Sequence, residues 1–329
     1  MIIEFIRKKS FEGGAGTFQG IFENYLINKS CKLVYYGEKI LPDVCFVISG
    51  TRHIFHLIYY KFRGVKIIQR LDGYNWRIKY KQDSVANILK MKLQNYLMNL
   101  IRKHIADEVV YQSNFVKKSW NNKFGTTKKN TSIILNCANK KFFQEPKING
   151  LNNLTVTCVE GHIQDDETTR NILSELNKLT KVENKISDIE IYGKVKNKNF
   201  HQMYENIDFK NHISRSEVSK IYQEKKRIFF CLEINPPCPN SLIEAIACQI
   251  PCVGFDTGSF KEIVHEAGIA IPYGANPWEE NSPNYSAVNT YIKKAIKSYD
   301  KFSHEAKSLR KKYYSEYMCD SYYQLIKKK

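Results

Sequence analysis

The chain has 329 residues, 43% of them hydrophobic and 26% charged, with 16 Gly and 9 Pro, which excludes a disordered, collagen-like or low-complexity protein. That length is more than one core comfortably serves and points to two domains. No uncharged apolar run approaches the roughly 18 residues of a spanning helix, and the start, with Glu4 and Arg7 around a very short apolar stretch, suits a first core strand better than a signal peptide. A soluble, cytoplasmic protein is expected.

The net charge of +18 is unevenly placed. Residues 1–150 carry 26 Lys and Arg against 10 Asp and Glu, whereas residues 151–329 carry 25 against 23. The first half is therefore expected to meet something anionic: phospholipid headgroups, a phosphorylated acceptor or nucleic acid. A merely solvated Lys-rich surface is the alternative.

Apolar runs alternate with helical patterns through both halves, the signature of two α/β units in series. In the first, residues 2–6, 32–36, 44–48, 65–71, 109–112 and 132–135 read as strands. Gly13-Gly14-Ala15-Gly16 follows the first strand as a loop ahead of a helical stretch, Phe18 to Leu26. Its backbone amides can approach a phosphate or sugar, although a plain tight turn is equally consistent. It lacks the Gly-x-Gly-x-x-Gly pattern, and no Gly-Lys-Ser/Thr follows, so a Walker-type site is not expected. Asp83 is placed to cap a long helix whose Val85, Leu89, Leu93, Leu97, Leu100 and Ile105 recur at three to five residues. The polar stretch 136–153 reads as a linker.

The second unit restarts with a strand over 154–159 and a helix from about Glu167 to Leu179. Strands follow at 189–192, 228–232, 251–255 and 269–272, with helices around 218–222, 242–248 and 261–267 between them. Strands separated by helices need parallel crossovers, so each unit is expected to be a doubly wound sheet, with a ligand in a cleft between their carboxyl ends. The domains are set at 1–145 (basic, acceptor side), 146–310 (donor side) and a helical tail, 311–329, able to cross back to the first. Nine cysteines, an odd number with no Cys-x-x-Cys pair, fit reduced core residues, among them Cys45, Cys158, Cys231, Cys248 and Cys252.

The most specific segment is Asn235-Pro236-Pro237-Cys238-Pro239-Asn240-Ser241-Leu242-Ile243-Glu244-Ala245-Ile246-Ala247-Cys248-Gln249-Ile250-Pro251-Cys252-Val253. A strand ends, three prolines stiffen a turn, and a helix opens at Asn240 or Ser241 and closes before Pro251. On its own, Ser241-x-x-Glu244 reads as a capping box. The same residues resemble the recognition element of family 4 retaining glycosyltransferases of GT-B fold, an acid and seven residues before Glu, then Ala, a hydrophobic pair and a Gly-x-Pro-Val turn.

Further segments are similar to that family, and to its branch in polysaccharide biosynthesis. They are Gln69-Arg70-Leu71-Asp72-Gly73 (an Arg-Leu-Asp-Gly signature), Ala106 to Phe115, Ile133 to Asn136, and Thr257-Gly258-Ser259-Phe260-Lys261-Glu262-Ile263-Val264. Ser259-x-x-Glu262 also reads as a capping box.

The resemblance implies two Rossmann-like domains facing across a cleft and transfer of a sugar from a nucleotide-sugar to a glycan or lipid-linked acceptor with retention. It implies no metal and no cofactor. By it, Glu244 accepts from the nucleotide ribose, and amides at Asn240, Ser241 and Leu242 hold the pyrophosphate. Gly13, Gly14, Gly16, Gly193, Lys194, Gly258 and Ser259 complete the donor site, and Asp72 and His162 are the catalytic candidates. A +16 first domain fits peripheral attachment to an anionic membrane at its inner face.

Three departures stand out. The first acid of the paired motif falls at Pro236, with Glu233 three residues earlier; His162 and Thr168 occupy the Arg and Lys positions of the Gly-Arg-x5-Lys element; and Asn136-Cys137-Ala138-Asn139 replaces Asn-Gly-Val-Asp. The loop holding His162 has Asp165, Asp166 and Glu167 beside it, so Lys194 or Arg215 is the candidate substitute cation. These changes leave a second reading open, a degenerate relative that binds a sugar nucleotide or glycan without turnover. Nucleic-acid binding by the basic half is a third, and no recognised nucleic-acid motif supports it.

Overall fold

The computed structural model describes residues 1–7, 13–79, 84–145, 154–183, 185–195, 197, 199–279 and 283–328. They form two compact units, Met1–Asn136 with Ser315–Lys329, and Cys137–Tyr314.

The first unit is built on β1 (Ile2–Phe5), β2 (Lys32–Tyr35), β3 (Val44–Ile48), β4 (Lys66–Leu71), β5 (Glu108–Tyr111) and β6 (Asn130–Ile133). They form one sheet in the order β2-β1-β3-β4-β5-β6, every neighbouring pair parallel. The central strands are near-continuous apolar runs because helices cover both faces. Those helices are α1 (Gly13–Asn28), α2 (Ile54–Phe62), α3 (Val85–Leu100) and α4 (Asn114–Phe124). The C-terminal α12 (Ser315–Lys327, labelled after the second unit's helices) completes this unit. Tyr322 of α12 packs edge-on against Phe18 of α1 at 5.0 Å, and Lys66 Nζ donates to the carbonyls of Leu325 and Lys328.

Two expectations are corrected here. Gly13, Gly14 and Gly16 are not a loop ahead of the helix; they form the first turn of α1. The apolar repeat over 85–105 is helical, but its first half is not a core face: Val85, Leu89 and Leu93 are exposed, and burial begins at Met98 and Ile101. Asp83 lies outside the described residues, and the observed cap is Ser84, whose Oγ accepts from the Asn87 amide. At its far end α3 passes into one π-helical turn, Ile101–Ile105. The buried Arg102 guanidinium anchors that turn by donating to the Tyr111 hydroxyl, Asn121 and the Gly125 carbonyl.

The second unit contains β7 (Leu154–Ile163), α5 (Glu167–Val182), β8 (Ile186–Val195), α6 (Phe200–Met203), β9 (Asp208–Lys210), α7 (Arg215–Glu224) and β10 (Arg227–Cys231). There follow α8 (Asn240–Ala247), β11 (Cys252–Phe255), α9 (Phe260–Val264), β12 (Gly268–Ile271), α10 (Ala287–Lys297) and α11 (Tyr299–Leu309). Its sheet, β12-β11-β10-β7-β8-β9, is again wholly parallel. Counted within the unit, this is the doubly wound order in which β7 and β10 flank the point where strand order reverses.

A buried network ties the middle of this sheet together. Arg227 on β10 donates to Glu190 on β8 at 2.6 Å and to Thr157 on β7 at 2.7 Å, and Lys225 and Tyr192 also donate to Glu190. Burial alone would raise the Glu190 carboxyl, but Lys225 and Arg227 hold it at about 2. All nine cysteines are free, and eight of them are buried.

Candidate functional site

The second unit's site is assembled where its strand order reverses. After β10, the chain runs through Leu232 to Pro239 and enters α8. The residue preceding that helix is Pro239, which has no side chain able to cap it, and the first turn contains no acid. The first turn of α8 therefore has no side-chain cap from Pro239 and no acid against the positive end of the helix dipole. Asn240, Ser241 and Leu242 supply that first turn.

Glu244 is not part of a capping box. Its carboxylate is buried, at 4% exposure, and meets Arg215 Nη1 at 3.1 Å. Burial pushes its pKa up to about 7 against the pull of Arg215. Arg215 is presented by a true capping box: Ser214 accepts from the Glu217 amide while Glu217 accepts from the Ser214 amide, which fixes Arg215 at the first position of α7. The pair is thus an acceptor and a cation held on two facing helices.

The turn before α8 is braced by the loop after β11. Ser259 is fully buried and donates both its amide and its hydroxyl to the Pro236 carbonyl, at 2.8 and 2.9 Å. Thr257 Oγ1 accepts from the Asn235 amide. Gly258 has φ of +61°, and a Cβ there would lie 2.4 Å from Pro236, so both conformation and space require glycine. Gly258 and Ser259 therefore position the α8 entrance, and the Ser259 side chain is spent on that turn: it makes no capping bond to α9.

His162, expected in a loop, lies in strand β7, opposite Lys194 on β8; both are exposed. The strands run on because a register shift between Val159 and His162 absorbs Gly161, and because Gly193 lets the backbones close. A Cβ on Gly193 would sit 2.7 Å from the Glu160 carbonyl. Thr168 is buried in the first turn of α5, where Asp166 accepts from the Thr169 amide as the cap. Thr168 brings no cation to that position; Arg215 is in contact with Glu244, and Lys194 lies opposite His162 on β8.

One acidic residue here has no counterpart in the sequence reading. Glu160, at the β7 bulge, has its Oε1 out of water and without a hydrogen-bond partner. Burial first, and then the charge of Glu233, hold its carboxyl well above the usual carboxylate range. Pro236 brings no carboxylate to this end of the sheet, whereas Glu160 and Glu233 do. An acid directly before Gly161 is the signal that could have found it.

The first unit has its own pocket, of about 390 Å³, at the carboxyl ends of β3 and β4. Asp72, just beyond β4, lines it with Ser49, Arg52, Asn75, Lys90 and Gln94. Ser49 Oγ donates to Asp72 Oδ1 at 3.0 Å, and the Trp120 indole donates to the Asp72 carbonyl at 2.8 Å. Burial raises the Asp72 carboxyl, opposed by Arg70 and Ser49. Arg70 is a buried support: it donates to Asn136 Oδ1 at 2.7 Å and lies over the Phe18 ring.

Comparison with known proteins agrees with this layout. Residues 177–312 match the family model for group 1 glycosyl transferases. The whole chain is similar to sucrose-phosphate synthase from Thermosynechococcus elongatus, at 11% identity and TM-score 0.75 over 98% of both chains. It is also similar to Anabaena Alr3699/HepE in complex with UDP, at 12% identity and TM-score 0.71 over 99% of both chains. A third likeness is to WaaG, a glycosyltransferase involved in lipopolysaccharide biosynthesis, at 12% identity and TM-score 0.68 over the full length of each. No curated protein matches the sequence. The chain has the GT-B fold, two α/β units each with a six-stranded parallel sheet, and its second unit carries a glycosyl transferases group 1 region.

Proposed function

We propose that the protein is a retaining, metal-independent glycosyltransferase that moves a hexosyl or related sugar from a nucleotide-sugar to a glycan or lipid-linked acceptor. The observation that carries the reading is the pairing of an uncapped α8 N-terminus with the buried Glu244–Arg215 pair. Amides at Ser241 and Leu242 bind the diphosphate, and Glu244 accepts from the ribose hydroxyls. As the bond between anomeric carbon and phosphate oxygen breaks, Arg215 and Lys194 neutralise charge on the departing diphosphate. The acceptor oxygen bonds the anomeric carbon on the same face, and its proton passes to the phosphate oxygen that left. Asp72, oriented by Ser49, positions the acceptor hydroxyl. The UDP in the Anabaena structure supports a nucleotide-sugar donor, and the WaaG likeness supports a lipid-linked glycan acceptor.

A second reading, binding without turnover, is favoured by Pro236 and by the burial of Thr168 in α5. A thermal-shift screen with UDP-, GDP-, ADP- and CMP-sugars, followed by assay of nucleoside diphosphate release, separates the two. Catalytic release that vanishes in Glu244→Ala supports transfer; stabilisation by a donor with no release supports binding alone.

A further inference from the structure

Among the described residues of the second unit, three buried carboxyl or amide oxygens have no hydrogen-bond partner: Glu160 Oε1, Asn235 Oδ1 and Asn289 Oδ1. A buried acceptor left unpaired has given up water for nothing, so native chains seldom keep one without a use. Asn289 lies on α10, where its Nδ2 donates to Glu175 of α5. The other two stand at one end of the sheet, where β7 and β10 finish.

The strand register places them. β7 and β10 pair Thr157 with Phe229, so three residues further on Glu160 comes level with Leu232, where the chain turns toward Asn235. The buried Cys231 thiol is pushed up by burial first and then by both Glu160 and Glu233, which sets the two carboxyls around one residue.

Asn235 is fixed by everything except that oxygen. It is 4% exposed and holds φ of +54°. Its amide donates to Thr257 Oγ1 and its Nδ2 to the Pro277 carbonyl, both at 3.1 Å. Turning the side-chain amide over would set oxygen against that carbonyl, so Oδ1 stays on the side without a partner.

Glu160 is acted on by burial and then by the charge of Glu233, with no base opposing them. A carboxyl kept uncharged in this way does not repel a diphosphate at α8, as an ionised one would. Both oxygens lack a donor, and Pro236 beside them has no N–H to give. A sugar carries several hydroxyl donors and no charge, which matches two fixed, unpaired acceptors next to a diphosphate.

We propose that Glu160 and Asn235 receive hydroxyl groups of the transferred sugar and so select the donor by its hydroxyl pattern. That role rests on the α8 donor site proposed above and adds to it residues that read the sugar rather than the nucleotide.

Calorimetric titration of UDP and GDP, and of UDP-glucose, UDP-galactose and GDP-mannose, tests it. For the conjugate that the wild type binds best relative to its own diphosphate, Glu160→Met and Asn235→Gly each lower affinity about tenfold and leave the diphosphate within about twofold. Glycine keeps the left-handed backbone at 235. Glu160→Met removes an unpaired carboxyl, so its melting temperature is unchanged or higher. Among the 2-, 3-, 4- and 6-deoxy analogues of that conjugate, at least one loses about tenfold on the wild type yet binds Glu160→Met as well as the parent does. Diphosphate binding with an unchanged conjugate-to-diphosphate ratio in both variants overturns this role alone. So does a Glu160→Met chain that melts lower and loses diphosphate and conjugate alike. A wild type that binds no diphosphate removes the donor site itself, and this role with it.

Discussion

The two units share a sheet architecture and differ in how they treat their surfaces. The second is nearly neutral in sequence, hides its large apolar side chains, and braces the loop before α8 against the loop after β11, where Asn235 and Gly258 both have positive φ. The first is strongly basic and leaves two helices with aromatic and aliphatic side chains in water. Both sheets have six parallel strands, but their orders differ, 2-1-3-4-5-6 in the first unit and 3-2-1-4-5-6, counted within the unit, in the second.

That contrast can be broken most forcefully at the second unit's buried network. Glu190→Leu strands the Arg227 guanidinium in the sheet, so stability should drop by about 3–5 kcal/mol, read from urea midpoints; an unchanged midpoint would show that the network is incidental.

The next effect is pH-dependent. The Glu244 carboxyl rises from 4.5 to about 7 on folding. The native state therefore holds a proton that the unfolded chain has lost, and this group's contribution falls as pH climbs between those values, by up to about 3 kcal/mol, then stays level. Nucleoside diphosphate affinity should move the opposite way, rising through about pH 7 as the carboxylate becomes an acceptor. Glu244→Gln should flatten both profiles.

A smaller effect is expected at Gly258→Ala. The left-handed backbone costs about 1–2 kcal/mol for a residue with Cβ, and the Pro236 contact must also shift. Donor affinity should fall about tenfold while Asp72's pocket, in the other unit, keeps its acceptor. Equal loss at both would mean that the two sites are not separable in this way.

Much of this was legible in the sequence. The run from Ile228 through Val253 could be read because apolar strands, three prolines and a short helix punctuate it without ambiguity. The far ends of β7 and β8 could not: Glu160, Gly161 and His162 are weak strand formers, and they are extended because Gly193 lets β8 close against a bulge. β9, with three residues, was too short to show a period. α2 was missed because apolar residues occupy nearly every position of its sequence and hide the helical stripe. In α3 the period was right but its burial was not, since spacing identifies an apolar face without saying what, if anything, covers it. Glu244 was picked out by its neighbours in sequence and Arg215 as a candidate cation, but that the two pair, across a helix, a strand and a turn of chain, emerged only with the fold.

A nucleotide held by the α8 entrance and Glu244 is what the proposed donor site requires. Calorimetric titration of UDP, GDP, ADP and CMP into the wild-type chain, Glu244→Ala and Asp72→Asn tests this most directly. One nucleotide should bind the wild type and Asp72→Asn alike and lose at least about tenfold in affinity for Glu244→Ala. Undiminished binding to Glu244→Ala would contradict the assignment of that carboxylate and of the site built around it.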